Sequence, residues 1–250
     1  MTWRKKILIF LTAVFLAGAI FLLFFNFNAN QSIKKIVQQT IPEGPVPDTF
    51  KKSSSSASLP AAANAQQASL DVPFLSQAPF GIWDPLHEDA CEEASLIMVK
   101  HFLEKDGNLT STSGDAEIRK MIQYEEQNNY GISITLEQLN QIAKNYAGMQ
   151  TGRVKNNATI EDIKKELAAG RPVIVPAAGK ILPNPNFRNG GPNYHMLVIK
   201  GYDKNGFITN DPGTRKGEGF RYAFNDLYNA IHDWDANNIL NGQKVYLVFN

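Results

Sequence analysis

The sequence predicts an α+β domain over residues 70–250, carried behind a membrane anchor and a flexible tether. Three observations predict this. The chain opens with an uncharged apolar run, Ile7 to Phe25. A stretch rich in Ser, Ala and Pro follows it. Beyond residue 70, segments with helical periodicity come first and strand-like runs come later, an order that favours α+β over alternating βαβ units.

Composition narrows the classes. With 250 residues, 43% hydrophobic and 20% charged, the chain is globular on average, which excludes collagen-like and wholly disordered classes. The balance of 25 basic and 24 acidic side chains gives a formal charge of +1, so no nucleic-acid partner is expected. One cysteine excludes an intrachain disulfide and a multi-cysteine zinc site. The charge is unevenly placed: residues 1–69 hold seven Lys/Arg against two Asp/Glu, whereas residues 70–250 are net acidic.

The anchor comes first. After Arg4, Lys5 and Lys6, the 19 residues from 7 to 25 carry no charge. At 1.5 Å per residue they span about 28 Å, close to the roughly 30 Å hydrocarbon core of a bilayer. A cleaved signal has a shorter apolar core, and Asn28-Ala29-Asn30 is a poor cleavage site. Residues 1–30 are therefore read as a basic start and a single-pass signal anchor in the cytoplasmic membrane. The basic end stays inside and residues 30–250 lie outside; secretion after cleavage is the alternative. Residues 31–69 form a juxtamembrane segment and linker, with Ser53 to Ser56 in one block.

Within residues 70–250, Leu70 to Ser76 is predicted as an edge strand because Pro73 lies in it. Gln77 to His87 reads as a loop. Asp89 is the expected N-cap of a helix from Ala90 to about Lys105, with Leu96, Ile97, Val99, Phe102 and Leu103 on its apolar face. A second helix is expected over 115–128. A third begins at the capping box Thr135-x-x-Gln138, and a fourth runs from Thr159 to Gly170. Strands are expected at 171–177, 194–201, 206–210 and 243–249, with Asp203 to Gly206 as a hairpin turn. Asn225 is the expected cap of a last short helix through His232.

Three residue types carry the chemistry. Cys91 lies in the first turn of the first helix, where free backbone N–H groups favour a thiolate. Glu88, Asp89, Glu92 and Glu93 act against that, so a reactive Cys91 needs an imidazole beside it. His195 opens a strand after a Gly-Gly-Pro turn, and Asp211 ends the next strand across the hairpin. If both share a face, the carboxylate holds one ring nitrogen and leaves the other for the thiol. Gln77, just ahead of the helix, can donate to an oxyanion together with the Cys91 N–H. A buried structural cysteine, a turn aspartate and a solvated loop glutamine stay open as alternatives. His87 beside Cys91 lacks further ligands, so neither metal nor cofactor is expected.

The stretches VPFLSQAPFGIWDPLHEDACEEASLIMVKHF (72–102), NYHMLVIKGYD (193–203) and ITNDPGT (208–214) resemble the family-thirty-nine-like cysteine peptidases. These are a branch of the papain-like superfamily related to the double-glycine bacteriocin-processing peptidases. The resemblance implies a papain-like fold, a Cys-bearing helix packed on an antiparallel sheet. It also implies roles: Cys91 as nucleophile, His195 as base and acid, Asp211 as orienter, Gln77 as oxyanion donor. This chain departs from that family where Glu92-Glu93 replace the more usual Gly-Pro, and in the longer spacing between Gln77 and Cys91. The expected activity is an extracytoplasmic thiol hydrolase cleaving a peptide or cell-wall-type amide, tethered to the lipid bilayer through residues 7–25. A binding module on the same fold and an acyltransferase using the same residues are the alternatives.

Overall fold

The computed structural model describes residues 66–250. The expected anchor at 7–25, the juxtamembrane segment and nearly all of the linker lie outside the described residues. Among the described residues no helix is long and apolar enough to cross a membrane.

The elements follow in chain order: β1 (Ala68–Ser69), α1 (Cys91–Glu104), α2 (Ser111–Gln127), α3 (Leu136–Asn145), β2 (Arg153–Asn156), α4 (Ile160–Ala168), β3 (Val173–Ala178), β4 (Tyr194–Asp203), β5 (Gly206–Asn210), β6 (Phe220–Tyr222), α5 (Phe224–Ala230) and β7 (Val245–Val248). The strands form one antiparallel sheet in the order β2-β7-β3-β4-β5-β6, with β1 added on β4. Helices precede most strands, as the α+β expectation requires.

Local chemistry explains the helix starts. Thr135 and Gln138 form a reciprocal capping box at α3. Thr159 accepts from the Asp162 N–H at α4, and Gly170, at φ +80°, follows its end. Thr110 and Ser113 form a second capping box, so α2 starts four residues before its expected position. Asp89 does not cap α1. It belongs to a 3-10 turn, His87–Asp89, and Ala90 precedes the helix without a side-chain cap. Asn225 lies inside α5 rather than at its cap, which is Ala223.

Leu70 to Ser76 is not a strand. Its ladder ends at Leu70, whose N–H donates to Lys200 O at 2.8 Å. Beyond it, the carbonyls of Val72 and Pro73 accept from the Asn210 side-chain amide at 2.9 and 3.1 Å. Side-chain bonds satisfy this backbone in place of a neighbouring strand.

The sheet separates two apolar cores. Ile97 and Met98 of α1, Ile118 and Met121 of α2, and Leu139 and Ile142 of α3 pack with Met196, Val198 and Leu247 on one face. Ile163 and Leu167 of α4 and Leu227 of α5 pack with Val175, Leu197, Ile199 and Val248 on the other. Along β4 from Tyr194 to Ile199, even-numbered side chains face α1 and odd-numbered ones face α4 and α5, as the two-residue period of a strand dictates, whereas Tyr202 packs on the α4 and α5 side.

One irregularity changes that parity on the neighbouring strand. The hairpin pairs Asp203 with Gly206, Tyr202 with Phe207 and Gly201 with Ile208; Ile199 then pairs with Thr209 and Val198 with Asn210. Lys200 is the extra residue of a β-bulge. Without it, the register extended by one step sets Asp211 opposite Val198, on the α1 face. With it, the same extension past the last pair, Val198 with Asn210, points Asp211 to the face of His195. Gly201 leaves room for the backbone of Ala68, which a side chain there would strike.

The caps give a direct check. Thr135→Ala is expected to lower unfolding free energy by about 1 kcal/mol. Asn225→Ala is expected to change it by less than about 0.5 kcal/mol, because no cap is lost. Urea denaturation of the two variants beside the parent measures both.

Candidate active site

His195 and Asp211 are brought together. Nε2 of His195 lies 2.8 Å from Asp211 Oδ1, and neither residue is exposed. The second carboxylate oxygen accepts from the Tyr222 hydroxyl at 2.5 Å and from Asn184 Nδ2 at 3.1 Å. The Gly213 N–H donates to Oδ1 at 3.0 Å. Burial alone pushes the Asp211 pKa up, but the charge of His195 and the hydrogen bonds of His195, Tyr222 and Gly213 outweigh it and leave it below its usual value. Asp211 is thus a buried anion held by several donors. It is not only a turn residue ahead of Pro212.

The imidazole is fixed on two further sides. Phe187 meets it edge-on at a centroid distance of 5.3 Å. Gly213, in the turn after β5, packs against the ring, and a Cβ there would sit 2.8 Å from Cε1. His195 Nδ1 is buried and has no hydrogen-bond partner.

Cys91 is the first residue of α1 and is 4% exposed. Its sulfur takes a backbone hydrogen bond from Met196, the residue after His195. Beyond Val198–Asn210, strand β5 no longer pairs with β4, and the chain turns through Asp211-Pro212-Gly213. Cys91 therefore meets β4 where the sheet has lost its neighbour. The thiol itself donates elsewhere, to Glu92 Oε2 at 2.8 Å. Burial first, then the charge and hydrogen bond of Glu92 and the charge of Glu93, raise the Cys91 pKa well above its usual value; the Met196 N–H works the other way. The thiol is protonated at rest and is not hydrogen-bonded to the imidazole.

Gln77 is buried, but its side-chain amide is occupied. Nε2 donates to the carbonyls of His87 and Glu88, both at 2.9 Å. In this arrangement it ties down the turn leading into α1 and offers no free N–H to an oxyanion. His87 stands apart from Cys91: its ring nitrogens each lie 2.7 Å from a carboxylate, Asp84 and Asp115. Among the described residues no group of three His, Cys, Asp or Glu side chains is placed to hold a metal ion.

A cleft of about 490 Å³ lies over this arrangement, lined by Gln77, Asp89, Phe187, Pro192 and Gly213 among others. Phe187 and Gly213 stand between it and the His195 ring. Sequence reasoning found Cys91, His195, Asp211 and Gln77 but not Asn184, Tyr222 or Phe187, which surround the pair. Gly201, a lone glycine in a strand pattern, is the signal from which the bulge could have been read.

Compared with known protein families, residues 69–238 match the Peptidase C39 like family. Among solved structures the chain is similar to a candidate C39-like peptidase from Bacillus anthracis, with 18% identity and a TM-score of 0.49 over 74% of this chain and 98% of that one. No curated protein matches.

Two outcomes follow from the site's charges. Burial, then Glu93, pushes Glu92 from 4.5 to about 8, and burial with Glu93 and Glu92 pushes Glu125 to about 11. Both groups bind protons more tightly when folded. Their stabilisation is complete below the ordinary carboxyl value of 4.5 and is lost as pH rises through about 8 for Glu92. Thermal denaturation is expected to give a Tm that falls from about pH 5 to about pH 8, with a shallower slope in Glu125→Gln. Asp211 has the opposite sign: its contribution is present above its ordinary 3.8 and is lost as pH falls through the lowered folded value. Gly213→Ala is expected to cost about 1–3 kcal/mol in unfolding free energy by crowding the His195 ring.

Proposed function

The chain belongs to the Peptidase C39 like family, and from that premise we propose that it is a thiol hydrolase, with Cys91 as nucleophile, His195 as base and acid, and Asp211 as orienter. The observation that carries this reading is the sealed His195–Asp211 pair with an unpartnered Nδ1. A histidine kept only for packing does not need a buried anion on one nitrogen and an open second nitrogen. Asp211 fixes the tautomer with the proton on Nε2, which leaves Nδ1 as the acceptor.

The thiol reaches that acceptor by turning about its Cα–Cβ bond, away from Glu92. Nδ1 then takes the thiol proton, and sulfur attacks an amide carbonyl. Asp211 stabilises the imidazolium that forms, and the imidazolium protonates the leaving amine. Water, activated by the same ring, hydrolyses the thioester. The Cys91 N–H, at the first position of α1, is a ready donor to the oxyanion because the first N–H groups of a helix have no partner within it. Gln77 serves by holding the preceding turn; an oxyanion role would require it to release the His87 and Glu88 carbonyls.

The Glu92 contact makes the resting site a latched one. It also favours a second reading, in which the domain retains peptide or wall fragments without cleaving them. The proposed setting is the outer side of the cytoplasmic membrane, with the domain tethered through residues 7–25. The support for it is the length of that apolar run and the three basic residues before it. The substrate class proposed is a peptide or cell-wall-type amide.

The test couples reactivity to turnover. The wild-type protein is expected to form a Cys91 thioester with an acylating probe, seen by mass spectrometry, and Cys91→Ala and His195→Ala are expected to form none. Glu92→Gln is expected to raise the rate of iodoacetamide alkylation at pH 8 by about tenfold, one pKa unit. Amide turnover that survives Cys91→Ala would refute the mechanism. Substrate retained uncleaved, with alkylation no faster in Glu92→Gln, would establish the binding module instead.

A further inference from the structure

A second cavity, of about 320 Å³, lies beside the α1 N-terminus, away from the His195–Asp211 pair. Four carboxyl groups line it: Asp89 from the 3-10 turn ahead of α1, Glu93 from the first turn of α1, Glu125 and Glu126 from the end of α2. No Lys, Arg or His lines it. Glu93 and Glu125 are 3% and 6% exposed, and their carboxyls hydrogen-bond each other. That contact uses one oxygen of each. Glu93 Oε2 and Glu125 Oε1 are left buried with no partner. Orphaned oxygens at this depth are costly, and a donor brought by a ligand removes the cost.

The rest of the wall selects the donor. Leu86, Ile122 and Ile132 supply an apolar lining, and Tyr130 adds a ring and a hydroxyl. Among the described residues no trio of metal-ligating side chains is formed, which argues against a bare divalent cation. The two free oxygens sit on different carboxyls. That suits a compact head with three rotatable donors better than the flat fork of a guanidinium, which prefers both oxygens of one carboxylate. We propose that this pocket binds a primary ammonium carried on a short apolar stem. The stem lies along the apolar wall and the head between Glu93 and Glu125. A peptide's lysine side chain and a free polyamine share this chemistry. Asp89 lines both this pocket and the cleft above the catalytic residues, so a bound lysine lies near the proposed substrate path.

Binding is linked to protons. Asp89, Glu93, Glu125 and Glu126 line the cavity with Tyr130, and Glu92, on the thiol side of α1, adds its charge. Burial raises Glu93 and holds Glu125 near 11, so Glu125 keeps its proton at neutral pH. A bound ammonium favours ionisation and releases about one proton.

The experiment is calorimetry on the full chain, with n-butylammonium as probe, in two buffers of different ionisation enthalpy. Saturable one-to-one binding is expected, with Kd on the order of millimolar and about one proton released. Nα-acetyl-lysine methylamide and cadaverine, run in parallel, distinguish a peptide side chain from a polyamine. Glu125→Gln is expected to weaken binding by about tenfold or more. Ile132→Lys, at a rim residue that is 76% exposed, is expected to weaken it by placing a tethered ammonium at the mouth. Cys91→Ala is expected to bind as tightly as the parent, so the pocket is tested independently of turnover. The proposal is overturned by the absence of saturable binding, by n-butanol binding equally well, by calcium binding in preference, or by affinity unchanged in both pocket variants.

Discussion

One inserted residue in one strand decides what this site can be. Lys200 bulges out of β4, and the pairing partners beyond it shift by one. Because side chains alternate faces, that single step carries Asp211 from the α1 side of the sheet to the side of His195. Everything around the imidazole depends on it. Gly213 packs against the ring, where a larger residue would collide with it. Tyr222 and Asn184 reach the far oxygen of the carboxylate from the same face. The hydrogen bonds on Asp211 offset the burial of its charge, which would otherwise drive it to protonate.

The other face carries the thiol and a different electrostatic problem. Glu92, Glu93 and Glu125 are packed into the core beneath α1 with no cation among them. Burial and repulsion between neighbouring carboxyls push all three above their usual value, Glu125 furthest. The Cys91 thiol joins this network through Glu92 instead of joining the imidazole. Cys91 and the His195–Asp211 pair are therefore placed from the two opposed faces of the sheet, near the edge opened when β5 turns away.

Much of this was legible in the sequence, for identifiable reasons. Thr135-x-x-Gln138 and Thr159 state helix starts in local chemistry, and the structure places α3 and α4 there. The four long strand patterns and the Asp203–Gly206 hairpin appear near their expected limits. Strands β2 and β6 escaped notice because four and three residues carry no periodicity. Leu70 to Ser76 misled because its apolar residues pack while its carbonyls bond a side chain. At the site, residue types and chain order suggested His195 and Asp211, but shared facing could not come from spacing alone. A two-residue turn by itself puts them on opposite faces, and the bulge that corrects it is a tertiary outcome. Tyr222, Asn184 and Glu125 carried no local signal, since each acts on residues distant in sequence or across a helix pair.

The central claim is that the Cys91 sulfur and the His195 Nδ1 share one reactive space, although at rest the thiol faces Glu92. Bridging the two with 1,3-dibromoacetone and mapping the peptides tests this most directly. The account predicts one intramolecular product joining the peptides that contain Cys91 and His195. A singly alkylated Cys91, with His195 unmodified at every pH at which the thiol reacts, would contradict it.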